Sequence, residues 1–158
     1  MDILDRRGQP GGPTMRVSTI LSMKGSTVAT TAPNAPVTEA LNELRLRGVG
    51  ALVVSTDGRH IEGILSEREI VHRLAERGDA VMHEIVESVM NTDVVTCQPD
   101  DDLQHLAQRM TDTRCRHLPV VVDGELVGIV SIGDVVKARL TQLEEESRQL
   151  QEYISTGR

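Results

Sequence analysis

Gly63-Ile64-Leu65-Ser66 returns 65 positions later as Gly128-Ile129-Val130-Ser131, so the 158-residue chain carries one segment twice. The match continues toward the N-terminus at a shift of 66 positions. Equivalent residues there are Val28 and Val94, Thr30 and Thr96, Pro33 and Pro99, Leu52 and Leu118, and Val54 and Val120. A repeat of this length is a supersecondary unit, and two copies indicate that each buries its apolar face against the other. We therefore expect a ligand to bind between the copies.

Both copies have the order strand, helix, strand, strand, helix. A short strand (28–30 or 94–96) leads through a proline into an amphipathic helix, and a hairpin follows that turns at Asp57-Gly58 or Asp123-Gly124. A further helix begins after Ser66 or Ser131, and short helices at 17–23 and 84–90 precede the copies. This order predicts an α+β fold of the α/β type, with two βαββα repeats related by a pseudo-two-fold axis. A Rossmann unit is not expected because the chain lacks GxGxxG.

The predicted domain boundaries follow the repeat. Residues 1–14, which are rich in glycine and proline, are expected to form a flexible N-terminal tail. The first repeat is placed at 15–80 and the second at 81–143. A C-terminal helical extension is placed at 144–158 and continues the last helix of the second repeat.

The last helix is predicted to run from residue 133 to about residue 154 and to carry a regular apolar stripe. Its positions follow a 4-3-4-3-4 spacing, typical of a helix that packs against another helix. We call these positions the C-terminal seam: Val136, Leu140, Leu143, Ser147, Leu150 and Ile154. The seam predicts a homodimer in which this helix contacts the partner subunit. The alternative is that the helix folds back onto its own domain.

Composition excludes several classes of protein. The 39% of apolar residues suffice for an ordinary core, and no apolar run approaches the roughly 20 residues of a membrane helix. Because the N-terminus lacks an apolar stretch of signal-peptide length, we expect a cytoplasmic protein. The net charge of −7 argues against non-specific nucleic-acid binding, which needs a basic surface. The expected partners are a small molecule and other protein chains, with no nucleic acid and no membrane.

The sequence predicts neither a catalytic nor a metal site. Cys97 and Cys115 have no CxxC spacing and are interpreted as ordinary thiols. The histidines lack the spacing of metal ligands. The run Asp100-Asp101-Asp102 is interpreted as the cap of the helix that follows it. No Ser-His-Asp or paired-carboxylate arrangement can be argued from spacing, so the protein is not expected to be an enzyme.

Ser66 and Ser131 each end a strand, open a helix and precede an acidic residue by three positions, Glu69 or Asp134. A capping box would explain both motifs without any ligand. In a duplicated unit, however, a serine hydroxyl beside the free N–H groups of a helix N-terminus can bind an anion. A carboxylate one turn later can accept hydrogen bonds from the hydroxyls of a ribose. Both interpretations stay open at this point.

On these motifs the chain resembles the tandem cystathionine-beta-synthase (CBS) domain pair, or Bateman module. The resemblance covers about residues 17–143. The motifs that carry it are Leu65-Ser66-Glu67-Arg68, Ser131-Ile132-Gly133-Asp134 and Arg116-His117-Leu118-Pro119-Val120. The chain looks like the small stand-alone members found in bacteria and plant organelles. The family implies that an adenosine nucleotide binds in the clefts between the repeats, with AMP as the expected ligand and ADP, ATP, NAD(H) or S-adenosylmethionine as alternatives.

The resemblance also implies which residues form two clefts. Backbone and apolar groups of one repeat would hold the adenine, and the serine and acidic residue of the other would hold ribose and phosphate. The first cleft would contain Lys24, Val28, Ala29, Val49, Gly50, Ala51, Ile129, Ser131 and Asp134. The second cleft would contain Ile64, Ser66, Arg68, Glu69, Val94, Val95, Cys115, Arg116 and His117. Glu69 is one methylene longer than Asp134 and would have to retract to contact a ribose, whereas Arg68 and Arg116 offer the second cleft more positive charge.

Two functions fit these observations. The leading hypothesis is a non-catalytic sensor, in which adenylate occupancy changes the surface presented to a regulated partner protein. The alternative is a ligand-independent dimeric scaffold, in which capping explains both serine motifs. Nucleotide hydrolysis is not favoured because no general base or metal cluster is visible in the sequence.

Overall fold

A computed structural model describes residues 15–157, so the predicted tail at 1–14 lies outside the described residues. The helices are α1 (Val17–Lys24), α2 (Val37–Arg47), α3 (Glu67–Arg77), α4 (Val86–Val89), α5 (Leu103–Thr113) and α6 (Ile132–Thr156). The strands are β1 (Thr30–Thr31), β2 (Ala51–Val54), β3 (Gly63–Ser66), β4 (His117–Val122) and β5 (Glu125–Ser131). A 3-10 helix at Gly78–His83, which the sequence did not predict, joins α3 to α4.

The element order confirms the predicted fold class of two βαββα repeats followed by a long helix. In the first repeat β1 pairs in parallel with β2, and β2 pairs antiparallel with β3. In the second repeat β4 and β5 form the matching antiparallel pair. The register places Ser66 opposite Ala51 and Ser131 opposite His117, so equivalent residues meet in both repeats.

The repeats exchange the short helices that precede them. Val17 and Ile20 of α1 belong to the apolar core of the second repeat, beside Leu106 and Leu118. Val86 and Val89 of α4 belong to the core of the first repeat. Backbone hydrogen bonds follow the same exchange, because Ser18 N–H donates to Pro99 O at 2.9 Å and Glu87 N–H donates to Pro33 O at 2.9 Å. Neither core is complete without a segment that precedes the other repeat in the chain.

The exchanged helices approach the sheets so closely that glycine is needed at the contact. A Cβ placed on Gly63 would lie 2.6 Å from Sδ of Met90, just after α4. A Cβ placed on Gly128, the equivalent residue, would lie 2.7 Å from the side chain of Leu21 on α1. The glycine that begins each repeated Gly-Ile-x-Ser segment therefore makes room for the other repeat's helix.

The predicted first strands differ from those observed. The first copy forms only Thr30–Thr31, where Val53 N–H donates to Ala29 O at 3.0 Å. The strand predicted at 94–96 is replaced by a single parallel bridge between Cys97 and Val120. Proline explains the difference, because Pro119 is the equivalent of Val53 and has no N–H to donate to Val95. The ladder in the second repeat is therefore shorter.

The two Asp-Gly pairs also adopt different turns. Asp123 and Gly124 have φ values of 52° and 78°, which is the backbone of a tight two-residue hairpin turn. Asp57-Gly58 instead lies inside a wider loop between Val54 and Gly63. In that loop the Asp57 carboxylate accepts hydrogen bonds from the N–H groups of Arg59 and His60, both at 2.8 Å. These side-chain to backbone bonds replace the bonds that a tight turn would make.

Helix α6 is continuous over 25 residues and leaves the body of the chain. Val135 and Ala138 are buried near its start, whereas the seam residues are exposed, from 44% for Leu143 to 71% for Ile154. The helix therefore does not fold the seam back onto the described part of its own chain. No helix within residues 15–157 combines the length and the apolar character that crossing a membrane requires.

Candidate functional site

Two equivalent junctions between a strand and a helix carry the serine and acidic residues of the predicted site. At the first, Glu67 N–H donates to Gly50 O at 3.1 Å, and at the second, Ile132 N–H donates to Arg116 O at 2.8 Å. Gly50 and Arg116 are equivalent residues, as are Glu67 and Ile132. Each junction therefore holds the N-terminus of α3 or α6 against the start of the hairpin in its own repeat.

At the first junction, the carboxylate of Glu69 caps the start of α3. Glu69 accepts a hydrogen bond from the Ser66 N–H at 3.1 Å and another from the Ser66 hydroxyl. Because a carboxylate can only accept, the Ser66 hydroxyl is the donor in this pair. Glu69 is thus folded back onto the helix start, in the retracted position that its extra methylene makes possible.

The second junction has the same kind of capping box as the first. Asp134 accepts from the Ser131 N–H at 2.9 Å, and the Asp134 N–H donates to the Ser131 oxygen at 3.2 Å, which forms a reciprocal capping box. Both serines accept a hydrogen bond from the N–H group three residues later, and both acids accept one from the serine N–H. The two junctions are therefore capped in the same way.

Asp134 also contacts a lysine from the other end of the chain. Lys24 Nζ lies 2.6 Å from Asp134 Oδ2, so the last residue of α1 reaches the first turn of α6. Burial by itself would raise the pKa of Asp134, but the hydrogen bonds from Lys24 and Ser131 outweigh it and hold the pKa below its usual value. Two of the residues predicted for the first cleft are therefore an ionised carboxylate and a lysine within contact distance of each other.

His117 stands between the two junctions. An added Cβ on Gly50 would lie 3.1 Å from the His117 ring, so the backbone of the first repeat passes directly beside this side chain. Burial lowers the pKa of His117, and the nearby carboxylates of Glu67 and Asp134 offset only part of that effect. The imidazole is therefore neutral at pH 7.

We expect this burial to make the protein less stable in mild acid. A histidine with a lowered pKa binds fewer protons when folded than when unfolded, so its contribution to stability is complete above about pH 6.5 and is lost as pH falls. Replacing His117 with glutamine should flatten the decline in unfolding free energy between about pH 7 and pH 5. Urea unfolding at several pH values measures it, with the exposed His83→Gln as control. An unchanged slope for His117→Gln would contradict this reading.

A cavity of about 430 Å³ lies at the first junction and is lined by both repeats. The residues predicted for the second cleft that line it are Ile64, Ser66, Arg68, Glu69, Cys115, Arg116 and His117. Gly50, predicted for the first cleft, lines it as well. A second cavity of about 310 Å³ shares Arg68, Glu69, His72 and Asn91 with it and extends along α3. The structure thus gathers most of the second set around one space.

Val94 and Val95 do not line this cavity. They precede Cys97, and Val95 packs against the core of the second repeat. This part of the chain pairs with β4 only at Cys97, because Pro119 has no N–H to donate to Val95.

The first set is less compact. Lys24 and Ser131 each contact Asp134. Ile129 pairs with Pro119 inside the β4–β5 hairpin, and Ala29 and Val49 pack on the core of the first repeat. Val28 lies just before β1, and Ala51, at the start of β2, is buried.

Sequence reasoning missed several residues that line the larger cavity. These are Glu67, His72, Asn91, Thr113 and Arg114. Asn91 reaches the site because its backbone N–H and O each bond to Ile64 at 2.9 Å, a long-range bridge that no local pattern announces. Arg114 could have been noticed, because it is the equivalent of Gly48 under the repeat shift.

Comparison with known proteins identifies the repeat. The CBS domain family matches residues 22–76 and 86–141. A CBS-domain containing protein from Agrobacterium tumefaciens has a crystal structure with a TM-score of 0.77 and 40% identity, over 81% of this chain and 96% of that one. The mitochondrial CBS domain-containing protein CBSX3 of Arabidopsis thaliana is 34% identical over 125 residues, which cover 77% of this chain and 61% of the plant protein.

A further solved structure contains ligands. The CBS domain pair of protein MJ0100, in complex with 5′-methylthioadenosine and S-adenosyl-L-methionine, has a TM-score of 0.70 and 26% identity to this chain. The match covers 82% of this chain and 99% of that one. Since the family match spans both repeats and the folds agree, this chain belongs to the CBS-domain family, as a tandem pair of CBS domains.

Proposed function

We propose that this chain is a regulatory, non-catalytic module that binds an adenosine-containing ligand between its CBS domains and signals its occupancy to a partner protein. The observation that carries the proposal is the cavity of about 430 Å³ whose walls come from both repeats. Its volume falls in the range of roughly 300–1,000 Å³ usual for small-molecule sites. A ligand that contacts both walls would change how the two repeats sit against each other.

The groups around the cavity match the parts of a nucleotide. Ile64 and the Gly50 backbone offer a surface for the base, and the guanidinium groups of Arg68 and Arg116 suit a phosphate. Because Tyr153 is the chain's only Phe, Tyr or Trp residue and lies on α6, the base would be held by aliphatic groups, backbone and the histidines that line the cavity. The adenosine compounds bound by the MJ0100 domain pair support this class of ligand for the present chain.

The first cleft offers a second site of the same class. Asp134 would accept from the ribose hydroxyls, and the Ser131 hydroxyl and Lys24 would contact phosphate. When the ligand binds in this arrangement, Lys24 gives up its contact with the Asp134 carboxylate and contacts the phosphate of the ligand instead. AMP is the ligand we propose first, with ATP and NADH as alternatives, and the cytoplasmic location stays a prediction.

We also propose that α6 pairs with α6 of a second copy. The exposed seam needs an apolar partner, and charge along the helix favours an antiparallel arrangement. The first half has Lys137 and Arg139 against one acidic residue, Asp134, whereas the second half has Glu144, Glu145, Glu146 and Glu152 against one basic residue, Arg148. An antiparallel pair places the basic half of one helix beside the acidic half of the other.

Calorimetric titration of the purified chain with AMP, ATP, NADH and S-adenosylmethionine tests the proposed function. We expect at least one ligand to bind with micromolar affinity, which corresponds to about −8 kcal/mol. Two or three charge-assisted hydrogen bonds and burial of the base are sufficient for that value, since each such bond contributes roughly 1.5–3 kcal/mol. Absence of binding by all four, with the dimer intact, would favour the ligand-independent scaffold instead.

Asp134→Ala is expected to weaken AMP binding more than Glu69→Ala. Asp134 has the shorter side chain and an ionised carboxylate beside Lys24, whereas Glu69 is retracted onto Ser66. A lost charge-assisted contact corresponds to a fall in affinity of about 10-fold or more. Titration of both variants with AMP measures the difference.

Two controls separate binding from folding in that comparison. Asp134→Asn keeps an oxygen that can accept from the Ser131 N–H, so it tests the charge while the start of α6 stays capped. Glu146→Ala removes an exposed carboxylate far from both clefts. Equal losses at Asp134 and Glu69, or a larger loss at Glu69, would show that the assignment of the clefts is wrong.

A further inference from the structure

Arg114 occupies a backbone conformation that arginine rarely adopts. It ends α5 with φ 55° and ψ 29°, in the left-handed region. Gly48, the equivalent residue of the first repeat, ends α2 with φ 62° and ψ 36°. Glycine is the usual residue at this position of a helix end because a Cβ is unfavourable there. The second repeat thus has an arginine, whose Cβ destabilises this conformation, at a position where Gly48 of the first repeat makes the same turn.

Arg114 lines the larger cavity together with Arg68 and Arg116. Within residues 15–157, no carboxylate lies within 4 Å of any of these three guanidinium groups, whereas other arginines form such pairs, for example Arg47 with Glu43 and Arg77 with Glu84. The acidic side chains on the cavity are Glu67 and Glu69, and Glu69 is bonded to Ser66. In a chain with a net charge of −7, three such arginines around one cavity indicate an anion site.

The backbone of Arg114 is also held from the other repeat. Arg68 Nη1 donates to the Arg114 carbonyl at 3.0 Å, which joins the start of α3 to the end of α5. A guanidinium has five N–H donors, so Arg68 retains donors for a ligand after making this bond. The contact joins the two repeats at the cavity and keeps both arginines beside it.

We propose that Arg114 determines specificity for the phosphate chain, so that the second cleft favours a nucleoside di- or triphosphate over a monophosphate. This inference rests on the proposed function and concerns the ligand of one cleft. One phosphate group carries about −1.5 to −2 charges at pH 7, and one or two arginines are enough to bind it. A third guanidinium gains most when a further phosphate group supplies additional oxygens and negative charge. Its retention at a left-handed position is explained by that contact.

Arg114→Gly tests the proposal through two measurements that change in opposite directions. Thermal unfolding without ligand should shift upward by roughly 2–4 °C, because the strained side chain is removed. Affinity for ATP should fall about 10-fold while affinity for AMP changes little, as expected for a lost charge-assisted contact. A structural role alone would not improve stability and weaken one nucleotide selectively.

Two further variants complete the test. Arg114→Asn tolerates the left-handed conformation but lacks the charge, so it should lose ATP affinity as Arg114→Gly does. Arg45→Ala removes an exposed arginine on α2 that lines neither cavity and should change neither affinity. An unchanged ratio of ATP to AMP affinity in Arg114→Gly, or a lower unfolding temperature, would overturn the inference and leave the proposed function standing. If the unaltered protein binds no nucleotide, the proposed function itself fails.

Discussion

Replacing Ile20 with alanine is expected to lower the free energy of unfolding by about 2–5 kcal/mol, the usual result of truncating a large buried aliphatic side chain. Ile20 lies outside the segments matched by the CBS family, which begin at residue 22. It is nevertheless 4% exposed and belongs to the core of the second repeat. The loss follows from the exchange of α1 between the repeats, since the cavity opens in a core whose other buried members, apart from Val17 on α1 itself, lie beyond residue 94. Chemical unfolding of the variant measures it.

Hydrogen exchange locates the effect within the molecule. Amides of β4 and β5 should lose more protection than those of β2 and β3, although Ile20 is nearer to the first repeat in sequence. Met23→Ala is the matched control, because Met23 lies on the same helix and is 58% exposed. A comparable loss of stability in Met23→Ala, or a loss of protection confined to β2 and β3, would contradict the exchanged packing.

Changing Leu143 and Leu150 together to glutamate is expected to convert a dimer into monomers. Each large aliphatic side chain buried in the seam contributes roughly 1.5–3 kcal/mol, so two losses and two introduced charges should remove most of the association energy. The repeats should stay folded, because both leucines are exposed within the single chain. Light scattering measures the mass, and circular dichroism reports whether the repeats remain intact.

A charge-matched variant separates the seam from general repulsion. Thr141→Glu with Gln149→Glu adds the same two charges to exposed positions of α6 outside the seam. We expect this variant to remain dimeric. If the seam variant also remained dimeric, the interface would have to lie elsewhere, for example on the helices of the repeats.

The sequence by itself determined the elements and their order. The repeat predicted two βαββα units, the Asp123-Gly124 pair predicted a tight turn, and the apolar spacing predicted a long last helix. Ser66 and Ser131 were recognised as the starts of helices. These features depend on residues a few positions apart, and local backbone preferences and the spacing of apolar residues are written directly in the chain.

Individual hydrogen bonds, made or missing, decided the details of one turn and one strand. Pro119 shortened the first strand of the second repeat because it offers no N–H to Val95. Asp57 widened the loop of the first hairpin because its carboxylate gathers backbone donors. Pro119 and Asp57 can both be read in the sequence. Residue propensities alone could not predict their effects, because each effect depends on the hydrogen bonds between strands, which form only in the folded sheet.

The arrangement of the clefts was decided only by tertiary structure. Lys24 and Asp134 are 110 positions apart and meet at 2.6 Å because α1 packs on the second repeat. The exchange of α1 and α4, the contact of His117 with Gly50 and the left-handed turn at Arg114 have the same origin. Such contacts depend on which apolar faces fit together, and that choice is made by the packing of the whole molecule and not by any local pattern.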